Sequence, residues 1–189
     1  MQGLALRKHR AAAGKQRPPG DAEYQRGMAH AKNDRWEAAL EAFERAVAAG
    51  PSDDVYWLNL AHARVRCGQF DLGAEAALRG ASLAPESDLA LAVAAECLNA
   101  ANRHGETLSL IAGRDLKRIR DHQVHFQLGQ AFQQLDRFKE AVDRYLAALS
   151  LKPDYMVAHV QLGNAFQRLK MHEEARECFK TAIAVGGDA

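Results

Sequence analysis

HFQLGQAFQQLDRFKEAVDRYLAALSLKP, residues 125–153, and HVQLGNAFQRLKMHEEARECFKTAIAVGG, residues 159–187, align without a gap at an offset of 34. His125 meets His159, Leu128 meets Leu162, Gly129 meets Gly163 and Phe132 meets Phe166; Ala141, Tyr145 and Ala148 meet Ala175, Phe179 and Ala182. The same step backwards reaches WLNLAHARVRCGQFDLGAEAALRGASLAP, residues 57–85, with Leu60, Gly68, Phe70 and Pro85 in register. One more step reaches Gly27, Trp36, Ala39, Phe43, Ala46 and Pro51. Five units without an insertion, 20–53, 54–87, 88–121, 122–155 and 156–189, account for the rest of the chain after residue 19. A fixed period of this length marks a repeat architecture.

Within a unit numbered from 1, positions 4, 7, 8 and 11 form one stripe of a first helix. In the fourth unit they are His125, Leu128, Gly129 and Phe132. Positions 20, 24 and 27 (Ala141, Tyr145 and Ala148) form the stripe of a second helix. Small residues at 8 and 20 let the two helices approach closely while aromatic rings fill the space beside them. Position 15 holds Asp34, Gly68, Asn102, Asp136 and Lys170. Gly, Asn and Asp tolerate the left-handed conformation that ends a helix, and Lys170 is the exception. Pro51, Pro85 and Pro153 follow the second helix and stop it. Each unit is thus a helical hairpin that cannot bury its apolar face alone, so neighbouring hairpins must stack.

This signature resembles the tetratricopeptide repeat, across about nine-tenths of the chain. The resemblance implies an all-α, right-handed α-solenoid of helix-turn-helix hairpins. It also implies a concave face, lined by the first helices, that takes peptide or protein segments. The positions opposite the packing stripe supply Asn59, His62, Arg66, Glu96, Asn99, Gln123, Gln127, Gln130, Gln134, Gln161, Asn164, Gln167 and Arg168 as candidate groove residues. Tyr24, Met28, Lys32, Phe126 and Gln133 fall on the same face. Side-chain amides donate and accept together, so they can pair with both groups of a peptide backbone. The amide-rich face is also similar to that of the repeat region of O-linked N-acetylglucosamine transferases. The carboxylate clamp of chaperone-tail-binding relatives is not reproduced: of its required positions only Asn59 matches, and Tyr24, Met28, Leu89 and Val93 occupy others.

The remaining features narrow the function classes. Of the formal charge of +1, residues 1–19 carry +5 through Arg7, Lys8, Arg10, Lys15 and Arg17, so the remainder carries −4. A nearly neutral body lacks the basic face of a nucleic-acid-binding domain. The basic segment is expected to be an arm or a capping helix across about residues 2–13. Cys67, Cys97 and Cys178 form no CxxC and suit a reducing compartment, so a cytoplasmic location is expected. His122 and His125 share a helical face, and His159 repeats His125. Trp57 stands at the same position 4, which favours ring packing over metal binding. No phosphate-cradling glycine motif occurs, and the acid pairs Asp53–Asp54 and Glu173–Glu174 stand at helix starts, where they complement the helix dipole. No enzyme activity, cofactor or metal is expected.

The third unit keeps the register and loses the signature. Thr107 stands at position 20, Arg114 at position 27, and Gly113 interrupts the second helix, which is expected to be shortened or shifted. The sequence stops at a unit boundary without a polar solvating helix. Either a longer protein continues the array, or another subunit covers the last helix. The expected function is a non-catalytic protein-interaction module that binds an extended segment in an amide-rich groove. The alternatives are the targeting region of a larger enzyme such as a glycosyltransferase, and a self-assembling scaffold.

Overall fold

The computed structural model describes residues 18–187, so the expected arm or capping helix lies largely outside the described residues. Among those residues the chain forms ten α-helices and no strand. They come in pairs that follow the period: α1 (Asp21–Lys32) with α2 (Trp36–Ala49), and α3 (Asp54–Arg66) with α4 (Phe70–Leu83). Then come α5 (Asp88–Ala100) with α6 (His104–Ser109), α7 (His122–Gln134) with α8 (Phe138–Leu151), and α9 (Met156–Arg168) with α10 (His172–Gly187).

The helices gather into two compact units, one holding α1–α5 and the other α6–α10. In the first, α2 packs on both α1 and α3, and α4 on both α3 and α5. In the second, α8 packs in the same way on α7 and α9, while α10 packs on α9 and α6 on α7. First helices of successive pairs also meet, α3 with α5 and α7 with α9. The stacking expected from the apolar stripes is therefore present within each unit.

Small residues set the closeness of the pairs. A Cβ added at Gly27 would lie 2.5 Å from the Phe43 ring, one at Gly129 2.5 Å from the Tyr145 ring, and one at Gly163 2.6 Å from the Phe179 ring. The second pair moves the small residues to its other helix: a Cβ at Gly73 would lie 2.7 Å from Val65, and one at Gly80 2.7 Å from Leu58. Phe43 and Tyr145 are fully buried as a result.

All five residues at position 15 are left-handed: Asp34 (φ 56°), Gly68 (76°), Asn102 (58°), Asp136 (57°) and Lys170 (62°). Lys170 follows the geometry of its neighbours even though a lysine there costs about 1 kcal/mol or more. Three of the five first helices, α3, α5 and α7, start at side-chain caps. The Asp53 carboxylate accepts from the backbone N–H of Val55 (3.0 Å), the Ser87 hydroxyl from that of Ala90 (3.2 Å), and the Asp121 carboxylate from that of Gln123 (2.8 Å).

The third pair departs as expected. α6 has 6 residues, whereas α2, α4 and α8 have 14 each. After Ser109 the chain continues as turns, with Gly113 left-handed at φ 77°. Thr107 stands at the small-residue position 20 and is fully buried, whereas Arg114 is exposed and donates from Nε to the Leu110 carbonyl at 3.2 Å. A guanidinium cannot be desolvated in a slot sized for alanine, so the helix ends before reaching it.

Candidate protein-interaction face

In three units position 4 carries a ring N–H aimed at the linker that precedes its own helix. The Trp57 indole N–H donates to the Pro51 carbonyl at 2.8 Å. His159 Nε2 stands 2.8 Å from the Pro153 carbonyl and His125 Nε2 3.4 Å from the Ile119 carbonyl, each six residues upstream. A carbonyl only accepts, so each imidazole carries its proton on Nε2. The three residues thus secure linkers, which gives the histidine repetition a structural cause. Among the described residues no group of three His, Cys, Asp or Glu side chains is placed to hold a metal ion. Cys67, Cys97 and Cys178 are free thiols, and burial pushes all three upward in pKa.

The candidate groove residues divide into three sets. Asn59, His62 and Gln127 are buried, with 2%, 3% and 5% of their surface exposed. Asn59 donates its amide to the Val55 carbonyl of its own helix at 2.7 Å. These side chains offer little surface to a ligand. Position 6 was read as solvent-facing on a single helix, but neighbouring first helices close over it.

Arg66 and Arg168 form the second set, and each reaches back to the preceding hairpin. The Arg66 guanidinium lies 4.4 Å from the centroid of Trp36 and 3.2 Å from the Asp34 carboxylate, which also accepts the Trp36 indole N–H. The Arg168 guanidinium lies 4.5 Å from the centroid of Phe138 and 3.4 Å from the Asp136 carboxylate. These are the same register positions: acid at 15, aromatic at 17, arginine at 13 of the next unit. His62 adds a second ring to the first of these joints, stacked on Trp36 at 5.0 Å and 9°. Its Nε2 is buried with no hydrogen-bond partner among the described residues. Desolvation first, and the neighbouring Arg66 charge second, pull its pKa down to about 4. Sequence reasoning placed both arginines in the groove and missed the joint. The signal was available as an acid and an aromatic two residues apart, with an arginine 32 residues after the acid.

The third set remains accessible. Gln123, Gln130, Gln161 and Asn164 are half-buried, and Gln134 and Gln167 are exposed. Gln133 of α7 donates to the Gln161 carbonyl oxygen of α9 at 3.3 Å and accepts from the Tyr145 hydroxyl at 3.1 Å. This chain of bonds brings the amides of α7 and α9 to one face. Glu96 and Asn99 of α5 are half-buried in the other compact unit. Burial pushes the Glu96 carboxyl up to about 7.

Comparison with known proteins fits this geometry. A family model described as "TPR repeat" matches residues 129–170, and two described as "Tetratricopeptide repeat" match 20–63 and 157–185. No curated protein matches the chain. Among solved structures it is similar to MamA AMB-1, with 28% identity over 88% of this chain and 99% of that one and a TM-score of 0.70. It is also similar to MamA MSR-1, with 27% identity over 89% and 97% and a TM-score of 0.68. MamA 41-end from Desulfovibrio magneticus RS-1 shares the fold, with a TM-score of 0.74 at 15% identity over 89% and 96%. Among the described residues no helix is long and apolar enough to cross a membrane. The period, the hairpin packing and the matched segments together make this chain an all-α array of tetratricopeptide repeats.

Proposed function

We propose that the chain is a non-catalytic protein-interaction module that binds an extended segment along the amide-bearing face of α7 and α9. The observation that carries this reading is the Gln133–Gln161 bond, which places amides of successive first helices side by side. Gln130 and Asn164 stand beside it half-exposed, with both donor and acceptor capacity for a peptide backbone. Such pairing favours extended backbone over a particular side-chain sequence. Selection from a displayed random-peptide library, followed by titration of the recovered peptides, tests the reading. Gln130→Ala, Gln161→Ala and Asn164→Ala should each weaken binding severalfold, and unchanged affinity in all three would remove this face as the site.

A scaffold role is supported by a separate observation. Ile183 of α10 is 75% exposed, whereas its register counterparts Leu149 and Val47 are 9% and 8% exposed. An apolar side chain left open where the other hairpins are covered suits stacking by a further helix pair. Molar mass measured against concentration, for the wild type and Ile183→Lys, separates self-association from a monomer.

A further inference from the structure

The joint between α4 and α5 has the same register positions as the two arginine joints, and its arginine is missing. Position 17 is Phe70, but position 13 of the next unit is Ala100. Phe70 is 45% exposed, whereas Trp36 and Phe138, each under a guanidinium, are half-buried. Position 15 is Gly68, so the acid that pairs with the arginine in the other two joints is absent here too.

Position 9 supplies the other half of the site. In the first joint that position is His62, stacked directly on Trp36. In α5 it is Glu96, the register counterpart of the histidine that covers Trp36, on a helix that packs against α4. Glu96 has no hydrogen-bond or ion-pair partner among the described residues, and desolvation pushes its carboxyl up to about 7. A half-buried carboxyl without a cation and an exposed ring, at the register positions that are in contact in the first joint, lack one thing that would satisfy both.

We propose that this joint receives an arginine side chain of a protein partner, its guanidinium lying on Phe70 and pairing with Glu96. The guanidinium is planar and stacks on a ring while its edge donates to a carboxylate, which an ammonium does less well. The chain uses that same group at both of its filled joints. A carboxylate at the site repels phosphates, so a nucleic acid is the wrong occupant. The proposal is independent of the amide face, because it concerns the other compact unit and a different chemistry.

The test is backbone-amide NMR on the isotope-labelled chain, titrated with acetyl-Gly-Arg-Gly-amide and with the citrulline counterpart, which keeps the shape and loses the charge. The arginine peptide should shift the resonances of Gly68, Phe70 and the end of α5, and the citrulline peptide should not. Phe70→Leu, which keeps apolar bulk and loses the ring, and Glu96→Gln should each weaken the arginine peptide by about fivefold. Ala100→Arg places a guanidinium in the joint from within, so it should abolish the response. Equal responses to the two peptides, no response to the arginine peptide, or undiminished binding by Ala100→Arg would each overturn the proposal.

Discussion

The first and last joints of the array are built from the same three groups and differ in a fourth. Asp34, Trp36 and Arg66 join the first two hairpins, and Asp136, Phe138 and Arg168 join the last two. Position 9 of the following unit is a buried histidine in the first joint and a half-buried asparagine, Asn164, in the last. The shared trio shows that arginine at position 13 belongs to stacking between hairpins. The differing fourth group gives the first joint a dependence on pH that the last one lacks.

That difference can be isolated by titration. The lowered pKa of His62 contributes stability that is complete above pH 6.5 and is lost as pH falls toward 4. The raised pKa of Glu96 does the reverse: its contribution is complete below pH 4.5 and is lost as pH rises through 7. The two oppose each other over the same window, so the wild type hides both. Relative to wild type, Glu96→Gln should gain about 3 kcal/mol between pH 4.5 and 7.5 in urea unfolding. His62→Asn, which copies the last joint into the first, should drift by a similar amount in the opposite direction. Parallel curves for all three chains would show that neither group titrates abnormally.

The next largest effect concerns the rings. Trp36→Ala removes the stack on His62 and the platform under Arg66, and should cost about 2–3 kcal/mol. Phe138→Ala removes only a platform, and should cost about 1–2 kcal/mol. Equal losses would mean that the His62 stack adds nothing. Arg66→Ala and Arg168→Ala should cost about 1 kcal/mol each and the same amount as one another, because both ion pairs are largely solvated. A clear inequality between the two arginines would break the equivalence of the joints. Smallest is Lys170→Gly, which should stabilise by about 0.5–1 kcal/mol through relief of its left-handed backbone, as read by thermal unfolding.

What could be read in advance followed chain-local rules. The period fixed the hairpins, and position 15 was legible because Asp, Gly and Asn favour the left-handed conformation. The short α6 was legible from Gly113 and Arg114, which offend a helix within its own length. The joints were not legible from a single helix. Arg66 and Arg168 project from the ends of their helices, where a wheel assigns them to open solvent, and only the preceding hairpin supplies the ring. The burial of Asn59 and Gln127 was missed for the same reason: a wheel shows which way a residue points, and the neighbouring first helix decides what it meets.

The ring N–H bonds at position 4 carry one more consequence. Each imidazole presents one N–H to a carbonyl six residues upstream, so the tether fixes the ring and the linker together. Trp57 does the same task with a group that never titrates. Three linkers between hairpins are therefore each fastened by a single ring N–H to the helix they introduce.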